Sequence, residues 1–147
     1  IADIKPQNFE IFKGVTMISP NKKEAGDASG LELNSEKEIR SAGEYFRKKL
    51  HTHVLLTRGA EGMTLFDGSR PVNFPSFAPA VVDGTGAGDT VVAAAALVIA
   101  CGGTSKQAAL ISSYAAGIVV GKPGTASATL KELIAHVELQ NKISKGA

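Results

Sequence analysis

Tryptophan is missing from these 147 residues, cysteine occurs once, and no apolar run is long enough to cross a bilayer. Each absence removes a class of protein. With Cys101 alone an internal disulfide is impossible, so a reducing, cytoplasmic interior is the expected compartment and the thiol is expected to pack as a small hydrophobe. The longest apolar stretch, residues 91–101, is alanine-rich and well short of the ~20 residues a membrane helix needs, so it reads as a buried core helix and no membrane segment is expected. Aromatics make up only 5% and the formal charge is +2. The basic runs Lys22-Lys23 and Arg47-Lys48-Lys49 therefore have few rings beside them for stacking on bases, and they read as solvated surface; no nucleic-acid partner is expected. Neither an initiator methionine nor a signal peptide opens the chain, so a trimmed product or a piece of a longer protein is expected.

What is present describes a globular α/β domain. Hydrophobic residues at 44% and charged residues at 20% suit one domain with a real core. Three Ser/Thr-x-x-Glu/Gln pairs, Ser35-Glu38, Thr104-Gln107 and Thr129-Glu132, mark helix starts, because cap and third residue satisfy each other's orphan backbone donors. After the first, Ile39, Ala42, Phe46 and Leu50 recur at helical spacing and lead into the strand-like Val54-Leu55-Leu56. Residues 15–19 read as an earlier buried strand, ended by Pro20-Asn21. Met63-Thr64-Leu65-Phe66 and Pro71-Val72-Asn73-Phe74 read as a hairpin turned at Asp67-Gly68-Ser69, and Ala80-Val81-Val82 as a further strand. Helices are expected at residues 90–101, 105–120 and 130–141, with a mobile loop at 27–34. Small residues crowd the first two of these helices, which favours close packing around a shared site or core.

The most informative segment is Val82-Asp83-Gly84-Thr85-Gly86-Ala87-Gly88-Asp89-Thr90, a glycine-rich turn that opens into the apolar helix and carries a carboxylate at its end. Glycines there let successive N–H groups converge on an anion at a helix N-terminus. Asp89 could then take a proton from a hydroxyl while the amides of Gly86, Ala87 and Gly88 stabilise a phosphoryl group in transit. A tight structural turn would use the same glycines. A dinucleotide fingerprint fits less well, because Asp89 replaces its final glycine and would repel a pyrophosphate. A Walker A loop is excluded, since Thr90 follows an acid and not a lysine.

Two other polar clusters end apolar strands: Asn21-Lys22-Lys23-Glu24, and Thr57-Arg58-Gly59-Ala60-Glu61-Gly62. Each alone would be a turn or a helix cap. Three clusters at the carboxyl ends of successive strands would instead line one cleft, the usual ligand edge of an open α/β sheet.

Asn-x-x-Glu, Thr-x-Gly-x-x-Gly and Asp-x-Thr-Gly-Ala-Gly-Asp in that order resemble the ribokinase-like (PfkB-type) carbohydrate kinase family over nearly the whole chain. Within it, Ser19-Pro20-Asn21-Lys22-Lys23-Glu24-Ala25 and the stretch 115–125 are most similar to the heptose 7-phosphate kinases of ADP-heptose synthesis. The resemblance implies a three-layer α/β/α fold with a largely parallel central sheet. It also implies that residues 1–147 are only the C-terminal, nucleotide-binding half, the N-terminal sugar-binding half and lid being absent. Implied cofactors are ATP and Mg²⁺, with K⁺ in several members; implied partners are a sugar or sugar phosphate, a second copy of the full-length protein, and a fused or partner nucleotidyltransferase, a linker to which would begin near Lys142.

Carried across, the resemblance makes Asp89 the base and residues 86–88 the anion hole. Asn21 and Glu24 organise Mg²⁺ and phosphate partly through water, and Thr57, Arg58, Gly59 and Gly62 approach the nucleotide. Ser113 and Gly124 border the base, and Asp83 with Thr85 holds a monovalent cation. Two positions depart from the family pattern. Gly84 replaces a β-branched residue, which should loosen the turn, and Ser113-Tyr114 replaces an Asn-containing pair near the nucleotide. The implied activity is ATP-dependent phosphorylation of a sugar hydroxyl. A nucleotide-binding fragment without turnover, a kinase for another sugar or nucleoside, and a non-catalytic scaffold are the alternatives.

Overall fold

The computed structural model describes residues 1–78 and 82–145. Four strands form one sheet in the order β1 (Met17–Ile18), β2 (His53–Thr57), β3 (Met63–Phe66) and β4 (Val72–Phe74). β1 and β2 are parallel, with Ile18 opposite Val54, and the pairing reaches the next turn through a parallel bridge between Asn21 and Thr57. β2 with β3 and β3 with β4 are antiparallel. The sheet is therefore mixed among the described residues, where a largely parallel one was expected. Short connections explain this: the segments after β2 and β3 are too brief for a crossover, so each strand must fold straight back.

Pleating sends alternate side chains to opposite faces, and each face meets a helical layer. On one face Ile18, Val54, Leu56 and Phe66 pack against Ala25 of α1 (Lys22–Ser29) and against Ile39, Ala42, Phe46 and Leu50 of α2 (Glu36–Leu50). On the other, Met17, Leu55, Met63 and Leu65 meet Val91 and Ala95 of α3 (Ala87–Ala100) and Ala108 and Ala109 of α4 (Ser105–Val120). Truncating a ring such as the fully buried Phe46 to alanine would cost about 3–5 kcal/mol. α2 lies so close to the sheet that a methyl built on Gly43 would fall 2.3 Å from the Phe66 ring. On the opposite face alanine and serine set the spacing, and the Ser112 hydroxyl of α4 donates to the Val91 carbonyl of α3 at 3.1 Å. α5 (Leu130–Lys145) follows, its His136 ring against Tyr114, which also lies tilted against Phe77.

The three expected capping boxes are present at Ser35-Glu38, Thr104-Gln107 and Thr129-Glu132. Several boundaries differ from expectation. β1 is only two residues long because its β2 partners are His53 and Val54 alone. Residues 27–29 are the last turn of α1, closed by Gly30 at φ 72°, where a loop was expected. α3 begins at Ala87, before Thr90, and α5 runs on to Lys145. Of the expected strand at 80–82, residues 80 and 81 lie outside the described residues, and Val82 is an exposed bend.

Candidate functional site

Because β1 and β2 run in the same direction, the turns that follow them emerge at one sheet edge, and the Asn21–Thr57 bridge ties those turns together. Beside that edge lies a cavity of about 220 Å³. Thr57, Gly59 and Gly62 line it from the loop after β2; Gly84, Ala87 and Gly88 line it from the glycine turn; Ser113 lines it from α4. Met63, Val91, Ala116 and Val120 supply apolar wall. Such a volume is below the ~300–1,000 Å³ of a site that engulfs a small molecule, so it suits one end of a ligand.

The glycine turn is built as an open helix start. Gly86 is the N-cap of α3 at φ 80°, a conformation that needs glycine, and no side chain caps the helix. The Ala87 amide donates to the Gly84 carbonyl at a long 3.3 Å. The Gly86 and Gly88 amides find no acceptor among the described residues. A methyl on Gly88 would meet no protein atom within 4 Å, so what its absence leaves open is cavity. Asp89 stands exposed in the same first turn, its carboxylate accepting no hydrogen bond among the described residues. It adjoins the lining residues without being one of them.

Asp83 holds the turn in place. Its Oδ1 accepts from the Thr85 amide at 2.8 Å and its Oδ2 from the Gly124 amide at 3.2 Å, fastening the turn to the loop between α4 and α5. These amides, Thr85 first, keep its carboxyl below the usual carboxylate range. Thr85 is exposed, and Gly124 reaches the site only through Asp83. Gly84 has no left-handed φ and no neighbour that a Cβ would strike, so the residue departs from the family pattern without the turn requiring it.

Four expected ligand groups are already engaged by the protein. Asn21 and Glu24 form a fourth capping box: the Asn21 Oδ1 accepts from the Glu24 amide at 2.8 Å and the Glu24 Oε2 from the Asn21 amide at 3.0 Å. Lys5 takes the Glu24 Oε1 at 3.1 Å. Asn21 and Glu24, expected to organise magnesium and phosphate partly through water, thus have protein partners as well, and Asn-x-x-Glu carries the same capping signal as Ser-x-x-Glu. The Arg58 guanidinium, 8% exposed, binds Glu36, Glu61 and Thr64. Burial works against its charge, but Glu36 and then Glu61 outweigh that and raise its pKa above the usual value. The Ser113 hydroxyl, buried, donates to the Pro75 carbonyl at 2.7 Å, and the Tyr114 ring lies tilted against Phe77 and His136 rather than lining the cavity.

Gly62 is glycine for an internal reason, since at φ 84° a Cβ would lie 2.1 Å from the Phe74 carbonyl oxygen. Of the other lining residues, Ala116, Gly117 and Val120 fall in the stretch 115–125 that the resemblance picked out, whereas Ser76 carried no local signal. Among the described residues no group of three or more His, Cys, Asp or Glu side chains could enclose a metal, and no helix is long and apolar enough to cross a membrane.

The family model described as pfkB family carbohydrate kinase matches residues 3–132. The chain is 43% identical over 132 residues to the Bifunctional protein HldE of a Nitratiruptor species, covering 88% of this chain and 28% of that one. It is 40% identical to the protein of the same name from Geobacter metallireducens, covering 98% of this chain and 30% of the relative. The chain thus spans less than a third of these relatives' length. Among solved structures, the ribokinase of Thermotoga maritima superposes with a TM-score of 0.79 at 28% identity, over 89% of this chain and 45% of the other. Arabidopsis thaliana ribokinase complexed with ribose and ATP gives 0.79 at 25% identity, over 93% and 44%. These neighbours and the two helical layers show the ribokinase-like α/β/α fold.

Proposed function

The chain belongs to the pfkB family of carbohydrate kinases, and on that premise we propose that it is the nucleotide-binding part of a kinase that moves the γ-phosphoryl group of ATP to a sugar hydroxyl, the sugar being heptose 7-phosphate. The observation that carries this reading is the uncapped start of α3, where the Gly86 and Gly88 amides and the exposed Asp89 share one turn beside the cavity.

In the transfer Asp89 accepts the proton of the acceptor hydroxyl as its oxygen attacks phosphorus. The free amides of the turn, with the positive end of the helix dipole, stabilise the charge on the phosphoryl oxygens. Thr57 and the loop at 59–62 flank the nucleotide, while Met63, Val91 and Val120 exclude water from that side. Glu24, its carboxylate engaged by Asn21 and Lys5, would help hold a magnesium ion through water, beside the nucleotide's own phosphates. When bound, that ion neutralises phosphate charge. Asp83 and Thr85 offer the oxygen donors a potassium ion prefers, where such an ion would stiffen the turn.

The heptose specificity rests on the likeness to the two HldE proteins, and their shared description as bifunctional supports a second activity in the full gene product. Because this chain spans under a third of them, a second reading is that it binds ATP without turnover when it stands alone. Calorimetry with ATP and Mg²⁺ on this chain, beside a phosphotransfer assay on the full gene product with heptose 7-phosphate and ribose, separates the two. ATP binding by the chain and turnover of the heptose by the gene product are expected. No ATP binding by either would refute the kinase reading.

A further inference from the structure

All five N–H donors of the Arg58 guanidinium are used inside the protein. The Nε donates to Glu61 at 3.1 Å, Nη1 donates to Glu36 and Thr64 at 3.2 Å each, and Nη2 donates to Glu61 at 2.8 Å and to the other oxygen of Glu36. Thr64 in turn donates to Asn73 on β4 at 2.8 Å, and Lys22 at the start of α1 lies 3.8 Å from Glu61. The network thus joins the first turn of α2, the loop after β2, the hairpin and the first turn of α1. Glu36 is 22 residues from Arg58 in the sequence. Its side chain is 65% exposed and Arg58 is its one ion-pair partner among the described residues, so this contact is an added strut and not a product of core packing.

The segment it braces lines the cavity. Gly59 and Gly62 border it, the Arg58 amide donates to the Gly62 carbonyl at 2.8 Å, and the Gly62 amide donates to Gly59 at 3.0 Å. This closed loop has two glycines at positive φ, Gly59 at 61° and Gly62 at 84°, and little stiffness of its own. A guanidinium fork held bidentate by one carboxylate and shared with a second is a rigid clamp, unlike a lysine point charge.

We propose that Arg58 is a positioning residue: with Glu36 and Glu61 it sets the 59–62 loop against the cavity so that the nucleotide meets a preformed wall, and it makes no contact with phosphate itself. This rests on the kinase reading above. The test compares Glu36→Gln, Arg58→Lys and Arg58→Gln by steady-state kinetics of the full gene product and by amide hydrogen exchange. Glu36→Gln is expected to speed exchange at the amides of Glu61 and Gly62 and to raise the KM for ATP roughly 3- to 30-fold, the scale of a network coupling. Turnover at saturation should stay within about twofold. Arg58→Lys should fail to restore KM, and Glu36→Gln added to Arg58→Gln should cost nothing further. A Glu36→Gln protein with unchanged exchange or unchanged KM overturns the proposal. So does one that binds ATP more tightly, since that is what release of the guanidinium onto phosphate would do. Should the Arg58 variants fail to fold, Glu36→Gln decides alone. If the wild-type protein does not bind ATP, the kinase reading fails and the exchange measurement alone judges the strut.

Discussion

Helices α1 and α3 start near the same cavity edge in opposite ways. At α1 the chain turns its own side chains onto the free amides: Asn21 and Glu24 cap each other, and Lys5 neutralises what charge remains. At α3 glycine stands at the cap, no side chain folds back, and the Gly86, Gly88 and Asp89 amides are left without an acceptor among the described residues. The helices α2, α4 and α5 follow the α1 pattern at Ser35, Thr104 and Thr129. Where stability is the need, this protein caps its helices; at α3 it forgoes a contribution of about 1 kcal/mol and retains donors for something that is not protein.

The comparison can be broken at four points. Asp89→Asn should leave nucleotide affinity intact while lowering turnover of the full gene product by roughly 10²–10⁴, the usual contribution of a general base; unchanged turnover would remove Asp89 from that role. Gly88→Ala should help the helix by about 0.5–1 kcal/mol yet weaken ATP binding roughly tenfold or more, because the methyl enters the cavity. Thermal melting and calorimetry on the same sample would show the two effects with opposite signs. Asn21→Ala should do the reverse, lowering stability by about 0.5–2 kcal/mol with little change in ATP affinity. An affinity loss larger than the stability loss would mean that this box also serves the ligand.

The smallest effect is a pH dependence at α5. Lys122, with the Thr129 amide and hydroxyl, lowers the Glu132 carboxyl to about 2 against an ordinary 4.5. A depressed folded-state value stabilises the helix start above pH 4.5, and that support drains away as pH falls toward 2. Glu132→Gln should flatten this part of an acid titration of helicity, and an unaltered titration would show that the cap contributes nothing measurable.

Much of this fold was readable from local chemistry. Three capping boxes, the 39-42-46-50 stripe of α2 and the hairpin all depend on residues a few positions apart, and each was found where expected. Asn21-Glu24 carries the same signal, and its place at a strand end drew attention away from the capping box it forms. The fate of Arg58 was not readable, because nothing near position 58 indicates that Glu36 lies opposite. The start of α3 was placed late for the opposite reason: glycine disfavours helix, and only the tertiary setting makes residues 87–89 its first turn. For the site, the glycine turn and Thr57 were correctly suspected of sharing a cleft, whereas the apolar wall from Met63, Val91 and Val120 emerges only when the two helical layers close on the sheet.

The contact between Gly43 and Phe66 has a consequence for how this domain can change over time. One atom of side chain on the helix and one ring on the sheet compete for the same space, so neither position is free to drift alone. A lineage that acquires alanine at 43 must first, or soon after, accept a smaller residue at 66, and the two sites should be inherited as a matched pair.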